Sequence, residues 1–85
     1  MSFTITHHAA SELQRRRIPS HVLDPVLERP EQIVAAHGGL LAYQSRVEVR
    51  GRTFLLRAIV DESAAPKRVV TVYLTSKIAK YWSPR

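Results

Sequence analysis

The chain has no cysteine, which excludes a disulfide framework and a thiolate metal site. Glycine is scarce, with three in 85 residues, and no glycine-rich phosphate loop or nucleophile elbow is present. The longest apolar runs are a few residues, too short to span a bilayer, so no membrane partner is expected. Met1-Ser2-Phe3-Thr4 offers neither a basic leader nor a long apolar segment. No signal peptide is therefore expected, and the cytoplasm is the expected compartment. Acidic residues are few: 7 against 13 lysines and arginines, a formal charge of +6.

That surplus is concentrated late in the chain. Lys67, Arg68, Lys77, Lys80 and Arg85 occur in a stretch with no acidic residue. Such an excess favours phosphate-rich or acidic partners through counterion release and steering, or serves only as a solvated basic surface. A hydrophobic share of 45% with 24% charged residues reads as a globular protein. Residues 1–85 are expected to form one domain around a single small core.

The stretch Val69 to Trp82, VVTVYLTSKIAKYW, carries the densest pattern. Its β-branched and aromatic start predicts a strand, with Val70, Val72 and Leu74 on one face. Val69, Thr71, Tyr73 and Thr75 fall on the other. After Ser76 the period changes, and Lys77, Ile78, Lys80 and Tyr81 suit a short amphipathic helix.

Upstream, Phe3 to Thr6 alternates as a short strand does, and Thr6 is placed to cap a helix over His7 to Arg17. Pro19 ends that helix. Ser20 opens a second, with Val22, Leu23, Val26 and Leu27 as its stripe, a disturbed start at Pro25 and an end at Pro30. Strands follow over Gln32 to Ala36, Leu41 to Arg50 and Thr53 to Asp61, joined by turns at His37-Gly38-Gly39 and Gly51-Arg52. Alternation puts Tyr43, Ser45, Val47 and Val49 on one face of the second of these and Gln44, Arg46, Glu48 and Arg50 on the other, as in a half-exposed strand; in the third, Phe54, Leu56, Ala58 and Val60 lie opposite Leu55, Arg57 and Ile59. The layout is α+β: two N-terminal helices on a twisted antiparallel sheet of about four strands, with a short C-terminal helix.

Two stretches also resemble a family. THHAASELQRRRIP with LERPEQIV, and YQSR with FLLRAIVDES and VVTVYLTSKIAKYW, look like a bacterial family of short domains of unknown function. That family is placed with the BrnT and RelE/ParE-type toxins of toxin–antitoxin modules. The matches are His8-Ala9 opening the helix, Arg16-Arg17-Ile18 ending it, and Thr71-Val72-Tyr73 in the closing strand. One departure is Glu12, where many relatives carry an arginine four residues after the histidine. The resemblance implies a RelE-like fold and a toxin that cleaves ribosome-bound messenger RNA, with a small acidic antitoxin as partner. A ParE-like gyrase inhibitor and a non-catalytic RNA- or protein-binding module are the alternatives.

A metal-independent ribonuclease needs an acid and base and cations for the phosphorane charge. His8 is the acid/base candidate, since imidazole is the side chain suited to proton transfer near neutrality. Arg57 and Lys77 are candidates for phosphate stabilisation and Tyr73 for proton donation, which completes the expected catalytic set. Arg16, Arg17, Lys80 and Tyr81 are the expected nucleic-acid contacts, the last by stacking. Each has a structural reading too. His8 can cap the first helix, Tyr73 can be core, and Tyr81 and Trp82 can seal the sheet edge. A buried Arg57 requires a partner, which Glu48 or Asp61 can supply. His8 and Glu12 lie four apart on one helical face, but no second ligand pair has a metal-site spacing. No metal and no cofactor is expected.

Overall fold

A computed structural model describes residues 2–84; Met1 and Arg85 lie outside the described residues. The order is β1 (Phe3–Ile5), α1 (His7–Arg15), α2 (Ser20–Glu28), β2 (Gln32–Ala35), a 3₁₀ turn (His37–Gly39), β3 (Leu41–Val49), β4 (Arg52–Asp61), β5 (Lys67–Thr75) and α3 (Ile78–Tyr81). The class is α+β, but the sheet has five strands, not four, in the order β1-β5-β4-β3-β2. Nor is it wholly antiparallel: β1 runs parallel to β5, pairing Phe3 with Lys67 and Ile5 with Val69.

Thr6 explains how three residues hold as a strand. Its amide donates to the Val69 carbonyl at 3.1 Å and its hydroxyl to the Val70 carbonyl at 3.0 Å. The same hydroxyl oxygen accepts the Ala9 amide at 3.0 Å, capping α1 as the sequence predicts. One side chain thus fixes β1, β5 and the start of α1 together.

The helix ends earlier than expected. Ile18 donates to the Leu13 carbonyl at 2.9 Å and Arg17 to that of Gln14 at 3.2 Å, the paired bonds of a Schellman end. Arg17 takes the left-handed position, φ 56°, that glycine occupies more easily. We expect Arg17→Gly to raise unfolding free energy by about 0.5–1 kcal/mol in urea melts, the relief of strain exceeding glycine's added unfolded-state entropy. The two-residue turn of the β3–β4 hairpin is Arg50-Gly51, both at positive φ, one residue before the expected Gly51-Arg52. Its Arg50 guanidinium donates to the Arg17 carbonyl at 2.8 Å, where the end of α1 favours a cation.

Helix α2 runs through Pro25 instead of starting late. The amide lost would have bonded to the His21 carbonyl, and both residues are exposed, where solvent can satisfy that oxygen. Helices α1 and α2 and the link between them bury Ala9, Ile18, Leu23, Val26 and Leu27 against Tyr43, Leu56, Ala58, Val60, Val69 and Val72 of the sheet. Val69 therefore lies on the core face, opposite to the period-2 expectation. A bulge is the reason: Thr71 pairs with Ile59 but Val69 with Val60, so Val70 is the extra residue and the alternation inverts below it.

On the outer surface of α1, Glu12 accepts from Arg15 at 2.8 Å and from Arg16 at 2.8 Å. These two guanidiniums hold its carboxyl at about 2, well below the ordinary 4.5. A lowered folded-state value stabilises the fold fully above the unfolded value and loses that effect as pH falls through the folded one. The melting-temperature difference between the wild type and Glu12→Gln should therefore shrink as pH falls from about 5 towards 2.

Candidate functional site

The face of the sheet away from α1 and α2 carries a polar row. Strand register sets Gln32 opposite Gln44, Gln44 opposite Arg57, and Arg57 opposite Tyr73, one residue from each of β2 to β5. Cross-strand neighbours lie about 5 Å apart, so the four side chains meet in sequence. Arg57 Nε donates to Gln44 Oε1 at 2.8 Å, and Arg57 Nη1 to the Tyr73 hydroxyl at 2.5 Å. Gln44 Nε2 donates to Gln32 Oε1 at 2.8 Å and to the Tyr81 carbonyl at 3.1 Å. Gln32 exchanges two bonds with the Ser83 backbone, at 2.7 and 3.0 Å.

These last bonds lay α3 and the residues after it over the row. The Tyr81 ring sits 4.5 Å from the Arg57 guanidinium and edge-on to Tyr73, with centroids 6.4 Å apart. Trp82 stacks in the same way on Arg46, at 4.7 Å. The two aromatics thus seal the open face, not the sheet edge. Cations against ring faces are favourable because the ring quadrupole is negative there.

Arg57 is 8% exposed, and no carboxylate among the described residues pairs with it. Neither expected partner reaches it. Glu48 and Asp61 share its face but lie four residues away along the ladder, about 13 Å at the rise of a strand. Glu48 lies near the Thr53 hydroxyl instead, at 3.5 Å, and Asp61 holds Ser63. With Nε and Nη1 engaged, Nη2 has no hydrogen-bond partner among the described residues. Arg57 lines a cavity of about 650 Å³ together with Tyr73, Tyr81, Thr71, Ile59, Leu40 and His37. A buried cation with a free donor edge at a cavity wall is a place for an anion.

The expected site residues divide. Arg57, Tyr73 and Tyr81 converge, and Lys80 lies beside them with Nζ 5.2 Å from the Tyr81 ring. His8 does not join them. It is exposed on the first turn of α1, on the opposite face of the sheet, and Thr6, not His8, caps the helix. Nor does His8 meet Lys77. Thr6 is tied to Val69 and Val70, whereas exposed Lys77 follows Thr75, about 20 Å further along β5. Arg16 is engaged by Glu12, and Arg17 lies at the far end of α1 beside Arg50.

Gln32, Gln44, His37 and Thr71 were not singled out by sequence reasoning. Their one legible signal is two glutamines at register positions flanking an arginine, which alternation alone assigns to a solvated face. A second polar cluster lies on the helix side, where the Tyr43 hydroxyl donates to Glu62 and accepts from Lys67 at 3.3 Å. Burial first, then Glu62, pushes the Tyr43 phenol up, while the Tyr43 bond holds Glu62 below the usual carboxylate range. That cluster ties the β4–β5 loop to the core.

Comparison with known protein families, with curated proteins and with solved structures gives no match. Among the described residues, no helix is long and apolar enough to cross a membrane. No group of three or more His, Cys, Asp or Glu side chains among them is placed to hold a metal ion.

Proposed function

We propose that the protein is a toxin-type ribonuclease of RelE-like fold, which cleaves messenger RNA without a metal ion in the Arg57 pocket. The observation that carries this reading is the buried Arg57 guanidinium, unpaired by any described carboxylate and flanked by two phenols at a cavity wall. In the reaction, the ribose 2′-oxygen attacks phosphorus, a 2′,3′-cyclic phosphate forms, and the 5′-oxygen leaves with a proton. Arg57 offsets the charge that develops on the phosphorane. Tyr73 accepts from Arg57 through its oxygen, so its own O–H remains to protonate the leaving group. His37 is the imidazole that lines this cavity, and it replaces His8 as the candidate base. A small acidic antitoxin is the expected partner and the cytoplasm the expected compartment.

The test is incubation of labelled single-stranded RNA with the protein in EDTA. Fragments ending in cyclic phosphate and 5′-hydroxyl are expected, with affinity falling steeply as salt rises. A second reading, a non-catalytic RNA-binding module, is favoured by the separation of His8 and Lys77 from Arg57. Salt-sensitive, Arg57-dependent RNA binding without any cleavage would select it. Binding unchanged by salt would remove both.

A further inference from the structure

We infer that the Arg57 pocket is a subsite for one nucleotide unit bearing a single phosphate, with its base held in the apolar part of the cavity. This deepens the RNA reading above and rests on it. The phosphate count follows from the donors. Arg57 is the one lysine or arginine in the cavity wall, and two of its five N–H groups are committed, Nε to Gln44 and one of Nη1 to Tyr73. The remaining N–H groups and the Tyr73 O–H can meet the oxygens of one phosphate, but they bring only one positive charge to it. A diphosphate or triphosphate would bring further charges with no second lysine or arginine in the wall to meet them. Lys80 sits against the Tyr81 ring and is exposed, so it attracts anions without lining the cavity.

The rest of the wall suits a base. Leu40 and Ile59 are half-buried apolar side chains, and the Thr71 hydroxyl and the His37 ring are the side-chain groups available to polar edges. A cavity of about 650 Å³ falls within the size of ordinary small-ligand sites. Inorganic phosphate would use only its Arg57 end, whereas a nucleoside monophosphate would also bury its ring against the apolar wall.

Titration of the full chain at fixed ionic strength with uridine and adenosine 3′-monophosphates, their triphosphates and inorganic phosphate tests this by calorimetry. At least one monophosphate should bind about tenfold or more tighter than inorganic phosphate. The triphosphates should gain less than about threefold over it, for want of further cations. Arg57→Gln should lose about tenfold or more. Thr71→Phe, which fills the cavity, should reduce the nucleotide to the affinity of inorganic phosphate, and it keeps the test decisive if Arg57→Gln does not fold. Triphosphates binding tenfold tighter than monophosphates, or inorganic phosphate binding as tightly as either, would overturn the inference. Arg57-dependent RNA cleavage with no monophosphate preference would sink the inference and leave the proposed function standing. Monophosphate binding with neither RNA binding nor cleavage would leave the nucleotide site and sink the RNA reading.

Discussion

Replacing Arg57 with methionine should lower RNA cleavage about 10²–10³-fold, the loss typical of a donor that stabilises transition-state charge. Folded stability should stay within about 1 kcal/mol of the wild type. Two opposed terms produce that near-balance. The wild-type guanidinium is buried without a carboxylate, so its desolvation is met only by Gln44, Tyr73 and the Tyr81 ring. Methionine of similar length removes that penalty. It also strands the Gln44 Oε1 acceptor, which costs about 1–3 kcal/mol. Arg57→Lys separates charge from geometry: it keeps the cation but cannot span both Gln44 and Tyr73. Cleavage should stay low while RNA affinity is partly retained. If Arg57→Met instead melts far below the wild type, with activity falling only with the folded fraction, the arginine belongs to the scaffold.

Arg57 interrupts FLLRAIV, where every neighbour is apolar, and a charge in such a strand needs a reason. A partner is required, but it is not the expected carboxylate, although opposite charge is the usual answer. The actual partners are amide, phenol and ring, and they come from register. Register is fixed here by the Arg50-Gly51 turn and the Val70 bulge. The turn lies one residue before the Gly51-Arg52 that the glycine suggests, and no local pattern marks the bulge.

Local chemistry was legible where one residue decides the outcome. Thr6 at the start of α1, the existence of the β3–β4 hairpin and the two-sided alternation along its strands follow from capping, turn and alternation rules. Contacts closed across long separations were not. The parallel pairing of β1 with β5 joins residues 64 positions apart through Thr6 and Val70, and no local pattern encodes it. It also decides where α1 starts, and hence why His8 and Lys77 lie far apart. The site inherits the same limit. Tyr73 and Tyr81 were recognisable as residue types, but their meeting at Arg57 depends on α3 folding back over the sheet.

Gln44 controls that meeting, and Gln44→Leu should be among the most damaging single changes in the chain. It removes three hydrogen bonds at a side chain with no exposure and leaves Arg57 held only by Tyr73 and Tyr81. Breaking the support of a buried charge costs about 3–5 kcal/mol. A domain of this length has about 4–13 kcal/mol in all, at roughly 0.05–0.15 kcal/mol per residue. The melting temperature should fall by more than about 12 °C, at about 4–8 °C per kcal/mol. Arg57→Met added to Gln44→Leu should then restore most of the loss, because the charge that lacked support is gone and both positions are apolar. The cycle should give a coupling of about 2–3 kcal/mol, near the upper limit for residues in one network. Trp82 fluorescence follows the same variants, since Gln44 holds the Tyr81 carbonyl one residue away. In both the single and the double mutant its emission should change before global unfolding, because both lack Gln44. Additive losses in the double mutant, with no recovery, would mean that Gln44 and Arg57 stabilise the sheet independently and that the row is not one network.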